Sequence, residues 1–277
     1  MKLDVVLPAG GRIDGEFATE AGVEVKALID VGGRTVLERT LDALRETGRV
    51  RRAVVVGPRE IADHPCSKLA DAVLPEGGDS GPANIVRGLE WLSETSPARA
   101  DRVLIVTTDL PFLTADSILS FIDSCPPEPD VCAPLVGKEA FEARFPGFRR
   151  SRSQYVALAD GQWTMGCGFL VNPEVIRANR DRIEQAFAVR RSQIGMTRLL
   201  GIGFIVRLLT RTLSVAHIEA RCTDMLGCSV KGVPDSSPEL AFDLDYIREY
   251  RYAVKALTGR VLDWPSPRLE AGRKNNV

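Results

Sequence analysis

The sequence predicts an α/β protein of three layers, α/β/α, with a mostly parallel central sheet. Three observations carry that expectation. The chain opens on an apolar run, Leu3 to Leu7, that stops at Pro8-Ala9-Gly10-Gly11-Arg12. Val54-Val55-Val56 and Val103-Leu104-Ile105-Val106 are uninterrupted apolar runs, as strands covered on both faces require. Segments with helical spacing alternate with these runs and supply the crossovers that parallel strands need.

In order, the expected elements are a strand from Leu3 to Leu7, a helix from about Thr35 to Thr47, and strands at Ala53 to Gly57 and Ala72 to Leu74. A helix from Pro82 to Ser93, a strand from Val103 to Thr108, a helix from Ala115 to Ser124 and a strand from Asp130 to Val136 follow. Residues 138–170 change character and read as an insertion, with Asp160-Gly161 as the turn of a hairpin. Gly166 to Val171 reads as a strand, and about 173–226 as a helical elaboration. Strands at Ser229 to Val233 and Phe242 to Asp245 and a helix from Tyr246 to about Leu257 complete the pattern. Residues 1–260 are expected to form one domain, and 261–277, with Pro265 and Pro267, a loosely ordered tail.

With 277 residues and 44% hydrophobic composition, the chain can bury a substantial core. Its 36 basic and 37 acidic residues nearly cancel, which leaves no electrostatic footprint for nucleic acid, so any phosphate site must be local. The six cysteines lack C-x-x-C spacing, and the N-terminus runs straight into a strand. A reducing, cytoplasmic compartment without a signal peptide is the expectation. His64 and His217 show no partner spacing, which argues against a nucleophilic triad or a histidine-rich metal site. Residues 195–215 are apolar but interrupted by Arg198, Arg207 and Arg211. They read as a buried helix or one covered by a second subunit in a homo-oligomer, rather than a transmembrane segment or a membrane-surface anchor.

A strand feeding a glycine turn, with Lys26 downstream, suggests the handling of a nucleoside triphosphate. Glycines let backbone N–H groups approach phosphate oxygens, and a lysine supplies positive charge. Neither G-x-G-x-x-G nor G-x-x-x-x-G-K-[ST] is present. The stretch between Arg12 and Lys26 would form a flexible flap. Asp109 follows an apolar strand, where open parallel sheets place ligands, and reads as a metal ligand or a turn residue before Pro111. Asp243 and Asp245 are two apart on an expected strand and share a face.

Pro8-Ala9-Gly10-Gly11, the Lys26 segment ending in Gly32-Gly33, and Thr107-Thr108-Asp109-Leu110-Pro111-Phe112 together resemble MobA-like nucleotidyltransferases. That class includes molybdenum cofactor guanylyltransferases and sugar-1-phosphate nucleotidyltransferases. Phe242-Asp243-Leu244-Asp245-Tyr246 sits where such proteins carry a late acidic or Asn-containing motif, and the likeness spans about residues 3 to 255. The resemblance implies a Rossmann-like nucleotide-diphospho-sugar transferase (GT-A-like) fold. It also implies Mg²⁺-dependent transfer of a nucleoside monophosphate from a nucleoside triphosphate to a phosphorylated small-molecule acceptor, with release of pyrophosphate.

Carried onto this chain, it implies nucleotide contacts at Leu7, Pro8, Ala9, Gly10, Gly11, Lys26, Gly81, Pro82 and Asn84. Lys26, Arg12 and Asp109 would be catalytic. Asp109 would hold the metal with Asp245 or Asp243, and Gly166, Gly168 and Arg150 would meet the acceptor. Asn84 could read the base or ribose, or cap its helix. Arg149, Arg150 and Arg152 could grip an acceptor phosphate or form a solvated run. Two other readings are a glycosyltransferase, since Asp243-Leu244-Asp245 spells D-x-D, and a non-catalytic nucleotide-binding regulator.

Overall fold

The computed structural model describes residues 2–95, 100–150, 154–189 and 200–260. Arg152, residues 195–199 of the apolar segment and the 261–277 tail, which were read above, lie outside them. Strand β1 (Leu3–Pro8) is flanked by β2 (Val50–Val56) and β4 (Val103–Val106), and β3 (Ala72–Leu74) lies beyond β2; all four are parallel. The other neighbour of β4 is β8 (Gly168–Val171), antiparallel, followed by β5 (Val131–Gly137) and the hairpin of β7 (Gly161–Met165) and β6 (Val156–Leu158). Strand β9 (Val230–Val233) pairs in parallel with β5. Strands β7 and β8 oppose the rest, so the sheet is mostly parallel, as expected; the hairpin turns at Ala159-Asp160, one residue before the expected Asp160-Gly161, and Gly161 opens β7.

Period-two alternation sorts the central strands onto two cores. Val5, Leu7, Ala53, Val55, Leu104 and Val106 face one side, with Leu37, Leu41 and Leu44 of α2 (Val36–Glu46) and Phe121 of α5 (Ala115–Ser124). Val6, Val54, Val56, Val103 and Ile105 face the other, with Leu89 and Leu92 of α4 (Gly81–Thr95). The three layers follow directly from strands apolar on both faces. Helix α2 begins at a capping box. The Thr35 hydroxyl accepts from the Glu38 N–H at 3.1 Å, and the Glu38 carboxylate accepts from the Thr35 N–H at 2.6 Å. Helix α4 rests directly on β1 at Gly88, where a Cβ would stand 2.5 Å from Val6 Cγ1.

A third core is aromatic. Phe242 packs on Phe145 at 4.6 Å, Phe148 at 4.8 Å and Phe112 at 4.9 Å between ring centroids. Phe141 of α6 (Lys138–Arg144) and Tyr252 of α11 (Ile247–Thr258) also pack on Phe242, so the rings join both helices to the segment after β4.

At the opposite end of β1, Asp4 is 1% exposed and accepts from Arg51 at 2.8 and 2.7 Å and from Arg52 at 2.7 Å. Burial pushes this carboxyl up, but the two guanidinium groups outweigh it and the net shift is down. A depressed carboxylate contributes stability above its unfolded value of 3.8 and loses it as pH falls through its folded value. Asp4→Ala is therefore expected to cost about 2–3 kcal/mol at pH 7, a buried-pair loss discounted for partly exposed arginines. Denaturant titrations at pH 7 and pH 3 check this, and the gap between variant and wild type should shrink at the lower pH.

Three expectations are corrected. Phe242 to Asp245 do not form a strand: a 3-10 turn, Pro238–Ala241, precedes them, and Leu244 N–H donates to the Asp109 carbonyl at 3.0 Å without a ladder. The alternation is real, since Phe242 and Leu244 are fully buried, but it belongs to a segment outside any strand. The apolar 195–215 stretch is not one helix. Among the described residues α9 (Ile202–Leu209) ends at Thr210, Arg211 takes φ 57°, and α10 (Val215–Leu226) starts afresh. Ile202 and Leu209 are 80% and 77% exposed, so this chain does not bury α9. Finally, the stretch between Arg12 and Lys26 carries helix α1 (Gly15–Ala21), closed at its base by an Arg12–Val25 bridge. Arg251 holds α1 through Glu16 at 2.8 Å and Glu20 at 2.9 Å. Among the described residues no helix is long and apolar enough to cross a membrane.

Candidate active site

The carboxyl ends of β1 and β4 meet at one edge of the sheet, and the glycine turn and Asp109 emerge there side by side. The Thr108 hydroxyl donates to the Pro8 carbonyl at 3.4 Å, and the Lys26 N–H donates to the Gly11 carbonyl at 2.9 Å. Lys26 opens a 3-10 turn, Lys26–Leu28, whose Ala27 and Leu28 anchor in the core and leave the lysine stem lying along Gly11. A Cβ on Gly11 would sit 3.2 Å from Lys26 Cδ.

The Lys26 ammonium lies among carboxylates. Its Nζ is hydrogen-bonded to Asp245 Oδ1 and stands 3.5 Å from Asp109 Oδ2, with the side chain 14% exposed. Burial alone lowers its pKa, but Asp109 and Asp245 outweigh burial and the net shift is upward. Asp245 shifts down: burial works against its charge, and Lys26 overcomes it. Asp243 is pushed up to about 7, first by burial and then by the nearby charges of Asp109 and Asp245. The irregular 242–245 segment thus delivers both aspartates to the site.

Asp109 holds the segment in place with its backbone, through the bond from Leu244. Its side chain is less settled: Oδ1 is buried and has no hydrogen-bond partner. A buried carboxylate oxygen with idle lone pairs is what a divalent cation would satisfy. Among the described residues no three His, Cys, Asp or Glu side chains gather closely enough to cage an ion. Magnesium asks for less, because it takes one or two carboxylates and fills its shell with water and phosphate oxygens. The donor set fits such an open site.

The remaining residues divide. Leu7 and Ala9 point into the core, and the Ala9 N–H is taken by the Val56 carbonyl at 2.7 Å, so only the Gly10-Gly11 end of the turn presents backbone outward. Asn84 does not cap its helix. Ser80 does, its hydroxyl accepting from the Ala83 N–H at 3.1 Å, while Asn84 Oδ1 accepts from the Gly77 N–H at 2.9 Å. This bond folds the 77 loop back so that Glu76 Oε1 and Asn84 Nδ2 would lie 2.3 and 2.8 Å from a Cβ at Gly10. Glu76 escaped the sequence reading because an isolated loop glutamate carries no local signal. Pro82 is buried, and Gly81 faces Phe187 of α8 (Arg180–Val189), 3.4 Å from a Cβ placed there.

Arg12 lies outside the carboxylate cluster. It is half exposed and paired with Glu60 at 3.0 Å and Glu24 at 3.9 Å. Gly166 is required by packing: a Cβ would stand 2.8 Å from both the Leu240 carbonyl and Pro134 Cγ. Gly168 would accept a Cβ at an ordinary 3.5 Å from Leu240 Cδ2. Arg149 is exposed, whereas Arg150 is buried and bonded to Asp243. Cys167 is no nucleophile, because burial and the nearby Asp243 and Asp109 hold its thiol well above its ordinary range. A separate cleft of about 630 Å³ lies along Asp30, Gly32, Gly33 and the end of α11, and includes none of Lys26, Asp109, Asp243 or Asp245. Charge and strand-end geometry mark the site.

Known proteins resemble this chain. The chain is 36% identical over 117 residues to a molybdenum cofactor guanylyltransferase of Rhodopseudomonas palustris, a stretch covering 42% of this chain and 53% of that protein. It is 38% identical over 93 residues to a 2-C-methyl-D-erythritol 4-phosphate cytidylyltransferase of Thermus thermophilus, covering 34% and 38% of the two chains. The matches thus span about half or less of these curated relatives. Among solved structures, a hypothetical transferase from Thermus thermophilus superposes with a TM-score of 0.77 at 30% identity over 90% of this chain and 99% of the other. A cytidylyltransferase structure from the same organism, at 20% identity, TM-score 0.53 and coverage of 93% and 99%, shares the fold. The model of the MobA-like NTP transferase domain matches residues 5–201, and the chain belongs to that family.

Proposed function

We propose that this protein is a nucleotidyltransferase that moves a nucleoside monophosphate from a nucleoside triphosphate onto a phosphorylated small-molecule acceptor and releases pyrophosphate. The carrying observation is the strand-end cluster in which Lys26 sits between Asp109 and Asp245 while Asp109 Oδ1 has no partner. Family membership and the likeness to a guanylyltransferase and a cytidylyltransferase support the same reaction class.

In this reaction an acceptor phosphate oxygen attacks the α-phosphorus, the bond to the β-phosphate oxygen breaks, and pyrophosphate departs. The attacking group is already an anion, so neither a base nor a side-chain nucleophile is needed. Catalysis reduces to positioning and to neutralising charge. The Gly10-Gly11 backbone faces the triphosphate, and Lys26 moves its ammonium from carboxylate to phosphate. Glu76 and Asn84, above Gly10, border the nucleotide. Asp109 and one of the pair Asp245 and Asp243 would hold Mg²⁺, which supplies positive charge to the phosphate oxygens.

The experiment is pyrophosphate release with Mg²⁺, each of the four nucleoside triphosphates, and a panel of sugar-1-phosphates, other phosphorylated alcohols and molybdopterin. Release with one nucleotide and acceptor, abolished by a chelator, is the expected result. Consumption of a nucleotide sugar without pyrophosphate would replace this reading with a glycosyltransferase.

A further inference from the structure

We infer that Arg150 is a positioning residue, a buried cation that holds Asp243 in the carboxylate cluster and ties that cluster to the β6–β7 hairpin. The inference rests on the nucleotidyltransferase reading above for its catalytic consequence, and on geometry for the rest.

Accounting for the guanidinium donors shows why it does not grip a solute. Nη1 donates to the Thr164 hydroxyl at 3.1 Å. Nη2 donates to Asp243 Oδ1 at 2.5 Å and to the Ala241 carbonyl. The Nε–H is buried without a partner. The side chain is 4% exposed, and its central carbon lies 4.6 Å from the centre of the Phe141 ring. An acceptor phosphate could reach this cation only by displacing Asp243 and opening the aromatic core.

The same contacts give Arg150 a different task. Thr164 belongs to β7, registered against Val136 of β5, whereas Ala241 and Asp243 belong to the segment that delivers the carboxylates. The guanidinium therefore cross-links the insertion to the site. Close packing reinforces the link at Gly166, just after β7, where no Cβ fits beneath the Leu240 carbonyl.

Asp109, Asp243 and Asp245 face two cations, Lys26 and Arg150. Lys26 bonds Asp245 at the more open side, where that carboxylate is 50% exposed, and can turn to a phosphate. Arg150 is fixed on four sides and cannot. It is the resident counter-charge that keeps Asp243 near its partners after Lys26 has left. A lysine would carry the charge without the planar fork that reaches Thr164, Ala241 and Asp243 together.

The test uses the full chain with Arg150→Met, Arg150→Lys and Thr164→Val. It reads thermal midpoint, Mn²⁺ affinity without nucleotide, and kcat and acceptor KM separately. Outer partners that orient metal-site groups typically change affinity or activity by about 10–100-fold when lost. The expected result is a loss of Mn²⁺ affinity and kcat in that range for Arg150→Met, partial recovery for Arg150→Lys, and an acceptor KM within about threefold of wild type. Wild-type Mn²⁺ affinity in a folded Arg150→Met, or a defect confined to acceptor KM, overturns the inference. If Arg150→Met does not fold, Thr164→Val decides: it keeps the charge and removes one orienting bond, so weakened Mn²⁺ binding supports the role and unchanged binding refutes it. Failure of the wild type to release pyrophosphate with any substrate pair would instead refute the transferase reading, while the Mn²⁺ measurement would still report on Arg150.

Discussion

Asp109→Ala is expected to lower metal-dependent turnover by about 10³-fold, the upper range for removing one preorganised electrostatic group, with the fold intact. The separation of the two effects follows from how Asp109 is used. Its structural contribution is the backbone carbonyl that accepts from Leu244 at 3.0 Å, and alanine keeps it. Its side chain contributes one contact of 3.5 Å to Lys26 and a buried oxygen with no partner. Removing an unsatisfied buried oxygen leaves no orphan behind, so the stability change should stay within about 1 kcal/mol. Pyrophosphate release with Mg²⁺ and a thermal melt check the two halves. Near-normal turnover would remove Asp109 from the chemistry, and a collapsed melt would make it a structural residue.

Lys26→Met is the second large effect. Methionine preserves the apolar stem packed on Gly11 and deletes only the ammonium. Apparent affinity for the triphosphate should fall about 10²-fold, close to 3 kcal/mol, because a low-exposure cation facing phosphate oxygens is lost. Stability should respond with a specific pH signature. The folded pKa of Lys26 lies above its ordinary 10.5, so its contribution is fully present below that value and fades as pH rises through the folded one. The folded pKa of Asp245 lies below its ordinary 3.8, so the contribution of the pair is present above that value and fades as pH falls through the folded one. The variant should therefore be weaker than wild type by about 1–2 kcal/mol across the window from roughly pH 4 to pH 10, converging at both ends. Denaturant midpoints at pH 3, 7 and 11 measure this. A constant difference at all three would mean that the lost term is packing rather than charge.

The sequence was legible where local rules are strong. A helix was expected from about Thr35 to Thr47, and α2 forms there behind a Thr35 cap. Val103 to Val106 is apolar without a break, and it forms a strand buried on both faces. Asp160-Gly161 marked the hairpin of β6 and β7, whose turn lies one residue earlier. Reading failed where the same local signal serves two structures. The alternation of Phe242 to Asp245 looked like a strand, and a segment outside the sheet, tied by the Leu244 N–H to the Asp109 carbonyl, displays the same period. The basic run at Arg149 and Arg150 looked like a solvated or ligand-gripping cluster. The fold separates the two neighbours, so one arginine is in water and the other is packed against Phe141 and Asp243.

By itself, then, the sequence determined the alternation of strands and helices from α2 to β5, the three-layer arrangement, and the emergence of the glycine turn and Asp109 at strand ends, because residue spacing and turn chemistry act over a few positions. Only the tertiary structure decided that Lys26 pairs with Asp245 across 219 residues, that Arg150 holds Asp243, that Glu76 stands over Gly10, and that Arg12 turns away to Glu60. Charge pairing and burial depend on which distant segments the fold brings together, and no local period in a chain encodes that.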